Sequence, residues 1–267
     1  AEEDRLIAEV MSAEPISAKT SDDQEAVATL FSRYGIHALP VVDHEDRIVG
    51  IVTVDDAIDI LEEEATEDIE KMAAIAPSDK PYMRMSVFEI WRSRIPWLLI
   101  LMASATFTGL IITSFESALA AQVALTAFIP MLMGSGGNSG SQASVTIIRA
   151  ISLGELGFRD ILSVMWKETR VSFFCGLVLA AANFLKILLV DMLWMGRDGV
   201  TVVVALVVSA ALALTVLFAK IVGSAMPLLA KRIGFDPAVM ASPFITTIVD
   251  AVSLIIYFQI ATAVLRL

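Results

Sequence analysis

The sequence predicts a mostly α-helical membrane protein, with a five-helix transmembrane domain behind a small α/β module and an acidic connecting helix. Three observations predict it. Charge is divided unevenly: residues 1–79 hold 21 of the 30 Asp and Glu but 5 of the 19 Lys and Arg, a net of −16, whereas residues 80–267 are net +5. From residue 97 onward, apolar runs recur that are long enough to cross ~30 Å of hydrocarbon, which takes ~20 helical residues. Before that point, short β-branched runs separated by a polar turn alternate with helical periodicity. The chain divides accordingly into a soluble part (1–72), a linker with a short interfacial helix (73–96) and a membrane domain (97–267). An acidic soluble part makes nucleic acid a poor partner, because phosphates would be repelled. Cys175 is the single cysteine, so no intrachain disulfide forms. The chain has no Met at residue 1, and we expect it to be part of something longer.

In order along the chain, Asp22-Asp23-Gln24-Glu25 starts a helix to about Tyr34. Ala38–Val42 and Arg47–Val52 read as strands joined by the turn Asp43–Asp46. Thr53 opens a second helix, where its hydroxyl can cap the first turn with Asp56 as reciprocal partner. Leu39-Pro-Val-Val-Asp43 followed by Gly50-Ile-Val-Thr53-Val-Asp-Asp56 resembles a CBS (cystathionine β-synthase) motif, the second of a tandem. That resemblance implies that Thr53 and Asp56 hold the ribose of a nucleotide such as ATP. A capping box alone is the other reading.

The helix from Val54 continues to about Met72. Ile58, Leu61, Ala65, Ile69 and Met72 form its apolar face. Asp56, Asp59, Glu63, Glu67 and Glu70 lie on another face, with Glu62, Glu64 and Asp68 beside them. Like charges at i, i+4 destabilise a helix by ~0.2–0.5 kcal/mol per pair. The surface is either solvated or holds cations. Pro77 and Pro81 then break the chain. Ser86-Val-Phe-Glu89 is a capping box opening a short basic and aromatic helix with Phe88, Trp91, Arg92, Arg94 and Ile95, which suits the membrane interface. It reads as a plain anchor or as part of a gate.

Crossings are expected over about 97–115, 120–148, 166–193, 200–229 and 243–265. Arg84, Arg92, Arg94, Arg149, Arg159, Lys167, Arg170, Lys231 and Arg232 fall on the side of the soluble part. Arg197 and Arg266 fall opposite. This bias puts the N-terminus in the cytoplasm and the C-terminus outside.

Polar residues inside the crossings carry the chemistry. Pro130–Gln142 contains Gly134, Gly136, Gly137 and Gly140, with Ser135, Asn138, Gln142 and Arg149 at helical spacing. Glycines that leave carbonyls open, beside two amides, suit the lining of a cavity. Small-residue helix packing explains the glycines but not the amides. Asp250 stands well inside the last crossing, where a carboxylate costs at least ~2.5–3.5 kcal/mol and is functional by default. Thr246 or Thr247, Ser253 and Tyr257 share its face. The alternative is an ion pair with Lys186 or Lys220. Glu168 is a second acid near the start of the third crossing. These ligands are all oxygen, since His37 and His44 lie in the soluble part, and one or two carboxylates per site favour Mg2+.

On Gly136-Gly-Asn-x-Gly140-x-Gln142 with Arg149, and Pro243-x-x-x-Thr247-x-x-Asp250, the chain resembles the MgtE family of bacterial magnesium channels and transporters over essentially its whole length. The resemblance implies a homodimer in the inner (plasma) membrane, among membrane lipids, with a pore at the subunit interface lined by the second and fifth crossings. Gly136, Gly137, Asn138, Gln142, Thr246 and Thr247 would line it, and Asp250 would hold hydrated Mg2+. It implies that cytoplasmic Mg2+ binds Asp56, Asp59, Glu64 and Glu67 and closes the pore, with Glu168 and Asp236 as further metal positions. A proton- or sodium-coupled transporter of divalent cations (Mg2+, Co2+, Ni2+, Mn2+) is the alternative. No nucleophile–base set supports an enzyme.

Overall fold

The computed structural model describes residues 6, 11–12 and 15–267. Residues 1–5, 7–10 and 13–14 of the soluble part lie outside it. The chain forms two compact units that divide between Glu67 and Asp68.

In the first unit, β1 (Ala18–Lys19), α1 (Gln24–Tyr34), β2 (Ala38–Val42), β3 (Ile48–Thr53) and α2 (Val54–Met72) follow in order, the last running on past Glu67. Asp23 caps α1 by accepting from Glu25 and Ala26 N–H, and Gly35 ends it at φ 60°, a left-handed conformation open to glycine. The sheet order is β1-β2-β3, with β1 parallel to β2 and β2 antiparallel to β3. Val41 pairs with Gly50 but Val42 with Ile48, so Val49 bulges out of register. Ala28, Phe31, Leu39 and Ala57 form the core, with Ile60 packed against it. The expected apolar face of α2 is turned the other way: Ile58 and Ile69 are 59% and 63% exposed. Ala57 and Ile60, beside the expected face, are the residues that pack on this unit's own core.

In the second unit, the capping box at Ser86 and Glu89 forms with both halves present and opens α3, Val87–Ser114. The short interfacial helix and the first crossing are therefore one continuous helix with Pro96 inside it. Proline removes one backbone donor, a loss that membrane helices tolerate when neighbours compensate. At 1.5 Å per residue α3 extends ~42 Å, more than the hydrocarbon is thick. None of its residues is buried, and it packs on the last helix.

The expected second crossing is broken near its start. A short helix, α4 (Glu116–Ala121), is followed by a 3-10 segment Val123–Phe128, and only then by α5, Ile129–Ser152. Gln122, extended between them, donates to Gly199 O at 2.5 Å. Next comes α6 (Ile161–Lys186), which widens into π-type turns over Ile187–Trp194, then α7 (Val202–Arg232) and α8 (Ser242–Leu265). Helix α7 is central, touching α5, α6 and α8, and Val208, Ala211, Val216 and Ala219 are fully buried in it. The unit is mostly helical, and four of its helical stretches are long and apolar enough to cross a membrane: Val87–Ser114, Phe158–Trp194, Val202–Arg232 and Pro237–Leu265. The glycine- and amide-rich α5 is not among them.

Candidate functional site

Helix α5 has two unlike sides. Leu132, Gly136, Gly137, Gly140, Ala143, Ile147 and Ile151 are buried, while Gly134, Asn138, Gln142, Thr146 and Arg149 are exposed. Its backbone is regular helix throughout, so the loosened backbone expected from four glycines does not form. The glycines serve close approach instead. A Cβ on Gly136 would lie 2.6 Å from Thr215 Cγ2 and 2.9 Å from Ser253 Oγ, and one on Gly137 would lie 2.9 Å from Thr246 Cγ2. A Cβ on Gly223 would meet Gly140 O at 2.2 Å, so α5 and α7 cross glycine on glycine. Packing of small residues accounts for Gly136, Gly137 and Gly140. It leaves Asn138 and Gln142 unexplained, displayed on the outer surface of the chain.

Asp250 is half-buried on α8. Among the described residues, no hydrogen bond or ion pair reaches it. The bases that the sequence offered as partners are taken. Lys186 Nζ sits 2.7 Å from Asp191 Oδ2, and Lys220 Nζ sits 4.0 Å from Glu168 Oε2. Asp191 is nearly enclosed and has Arg197 at 3.1 Å as a second cation. Sequence reasoning missed this cluster, although an acid five residues after Lys186 in an apolar run was the available signal. The other polar residues of α8 bond to backbone. Thr246 and Thr247 hydroxyls donate to Pro243 O at 2.9 and 3.0 Å. Ser253 donates to Val249 O, and Tyr257 donates to Leu125 O at 3.0 Å. Ser253 and Tyr257 are buried, whereas Asp250, expected on the same face, is half-buried.

On α2, Thr53 does not cap by accepting. Its hydroxyl and N–H both donate to Asp56 Oδ2, at 2.6 and 3.1 Å. These bonds, the hydroxyl's first, lower the Asp56 pKa below its ordinary value. Asp56 and Asp59 are exposed, and Glu64 and Glu67 half-buried. Glu64 accepts from Gln24 Nε2 at 2.7 Å. No three acids, histidines or cysteines converge on a metal-sized position among the described residues, so α2 by itself offers carboxylates in a row rather than a closed site. Asp236 caps the 3-10 turn Pro237–Met240, accepting from Ala238 N–H at 2.8 Å, and its other oxygen takes Lys71 Nζ at 2.6 Å. Glu168 and Asp236, expected as metal positions, are both opposed by a lysine.

Comparison with known proteins bears on this arrangement. The MgtE family model, described as a divalent cation transporter, matches residues 129–260, which run from α5 to α8. A CBS domain matches residues 7–63. A protein of Thermus thermophilus called magnesium transporter MgtE is 40% identical over 260 residues, covering 97% of this chain and 56% of that protein. Proteins of the same name from Bacillus subtilis and Enterococcus faecalis are 38% and 32% identical, over 98% and 99% of this chain and 56% of each. The chain thus spans about half the length of the curated relatives it matches. The family is one of transporters rather than enzymes. The chain thus carries an MgtE-family domain at 129–260, set behind a CBS domain at 7–63.

Proposed function

We propose that this protein conducts Mg2+ through a pore between two copies of the chain in a bacterial inner membrane, and that cytoplasmic Mg2+ closes it. Asp250 carries the reading. Among the described residues it is an acid in the apolar helices that no base answers, and an unpaired carboxylate inside a crossing needs a cation or water beside it. The exposed Asn138 and Gln142 support the second copy. Amides on a lipid-facing surface would be left unsatisfied, whereas facing a partner's stripe across water they are solvated. With α5 shielded by α7 and α8 on one side and a partner on the other, it needs no lipid-facing apolar surface, which supports a fifth crossing despite its composition. Gly136, Gly137, Thr246 and Thr247 then shape the wall behind the amides. Mg2+ keeps several of its waters, so one carboxylate per chain and neutral oxygen groups suit it.

For gating, the row Asp56, Asp59, Glu64 and Glu67 attracts Mg2+ that is completed by another element or copy, since among the described residues the acids do not converge. The Lys and Arg bias of the loops supports a cytoplasmic N-terminus and a C-terminus outside. At the CBS domain, a nucleotide such as ATP would have to share or break the Thr53–Asp56 bond. Isothermal titration with ATP, repeated on Thr53→Val, tests that site.

The principal experiment is Mg2+ uptake by liposomes holding the full-length protein. Asp250→Ala, folded by size-exclusion and melting behaviour, should lose uptake. Normal uptake by that variant would remove Asp250 from the path. Flux that tracks a pH or sodium gradient would instead establish coupled transport.

A further inference from the structure

The residues around Asp236 do something the ion path does not require. The C-terminal turn of α2, Asp68 to Met72, belongs to the second unit and is joined to that unit's helices at three points. Lys71 Nζ holds Asp236 Oδ2 at 2.6 Å, with both side chains mostly shielded, 23% and 34% exposed. Ser152 Oγ, at the end of α5, donates to Asp68 Oδ2 at 3.0 Å. Met72 packs against Ile148 of α5 and against Ala238 and Ala241 of the turn that leads into α8. That turn is tied to α5 again, because Ser144 Oγ donates to Met240 O at 3.2 Å. Asp236 is committed on both oxygens, one to the turn's own Ala238 N–H and one to Lys71.

We infer that Lys71 is a built-in cation that makes Asp236 a tether rather than a Mg2+ site, fastening the end of α2 to the turn from which α8 and Asp250 start. The inference rests on the gating reading above and deepens it. If Mg2+ acts on the acids earlier in α2, its effect travels along one continuous helix to Lys71, and Lys71 passes it to Pro237–Met240. An ammonium suits this task. It carries a fixed charge, needs no dehydration of a divalent ion, and stays in place at low Mg2+, so the pore follows α2 in both states. A Mg2+ ion at Asp236 would have to displace Lys71 first.

The two roles predict opposite signs. If Lys71 merely competes with Mg2+ for Asp236, Lys71→Met frees a metal ligand and makes closure more sensitive to Mg2+, whereas Asp236→Asn makes it less sensitive. If the pair is a tether, both variants uncouple the pore. Each then raises the half-inhibiting Mg2+ concentration, by about fivefold or more for a coupling of the usual size. The charge-swapped double variant, Lys71→Asp with Asp236→Lys, brings it back toward wild type. The measurement is open probability against cytoplasmic Mg2+ in patches from liposomes holding the full-length protein. Unitary current in Lys71→Met and in Ser152→Ala should equal wild type. Opposite shifts for the two single variants, or no shift in either, would overturn the tether. A second readout does not depend on gating: amide hydrogen exchange of residues 237–246 should quicken in Lys71→Met, and unchanged exchange there overturns the contact itself. A wild-type protein that Mg2+ does not close would defeat the gating reading, and the tether would then stand or fall on exchange.

Discussion

Asp191, where α6 ends, and Asp250, within α8, are both carboxylates set into apolar helix, and their surroundings differ in burial and in pairing. Asp191 is 2% exposed and has Lys186 and Arg197 on its two oxygens; its backbone oxygen also accepts from Arg197 N–H at 3.0 Å. Asp250 is less buried and has neither. A buried acid with matched bases holds two segments together. An acid left open in an apolar helix has its charge available to something that is not part of the chain. Burial alone therefore does not identify a functional acid, and the list of its neighbours does.

The largest expected effect would break this contrast if it failed. Asp250→Asn should reduce Mg2+ uptake to the level of empty liposomes without lowering the melting temperature in detergent, because removing an unpaired charge relieves rather than strains the fold. Asp191→Ala should do the reverse. It strands two cations at the end of α6 and should cost about 3 kcal/mol, the low end for breaking a buried pair because the bases reach solvent. Uptake per folded molecule should persist. If Asp191→Ala melts like wild type, the pairing is incidental.

Next in size is the crossing that sets α5 against α7. Gly223→Ala places a methyl where Gly140 O already stands and should destabilise by about 1–3 kcal/mol as an overpacked contact, read by thermal unfolding. Gly134→Ala, where an added Cβ meets nothing within 4 Å, is the matched control and should melt no lower. Smaller still is the Glu168–Lys220 pair, which at 4.0 Å is loose though largely buried. Lys220→Met should destabilise more than Lys220→Met with Glu168→Leu, since the single change leaves an acid stranded. A double variant worse than the single would show that Glu168 has another duty.

The smallest effect is at Asp56, fully exposed. Its pKa lies below the ordinary 3.8 because Thr53 donates to it. A lowered folded pKa stabilises above the unfolded value, and that contribution is lost as pH falls through the lowered one. Thr53→Val should bring Asp56 protonation back up toward 3.8, seen by carboxyl NMR titration of the first unit's resonances. An unchanged titration would mean that the Thr53 bond is absent in solution.

Much of this architecture was legible beforehand because its signals are local. Strands Ala38–Val42 and Ile48–Thr53, helix α2 and the Ser86 capping box follow from patterns within a few residues, and α7 and α8 follow from apolar runs that can do nothing else in a bilayer. The break at Gln122 was not legible, because the amide's partner, Gly199 O, is 77 residues away. The continuity of α3 through Pro96 was misread for a similar reason, since a proline's cost depends on what surrounds it.

The candidate site divides along the same line. Residue types alone determined that Asp250, Asn138 and Gln142 are out of place in hydrocarbon, because the transfer cost belongs to the group itself. Which acid would be left without a base is a matter of three-dimensional pairing. Lys186 and Lys220 were equally available on paper; the π-type turns after Lys186 give it to Asp191 five residues on, and the packing of α6 on α7 gives Lys220 to Glu168. Likewise, four glycines in α5 announced a close approach to something. Whether that was an ion's water or another backbone depended on α7 presenting Gly223 at the same level, and no count along one helix contains that distance.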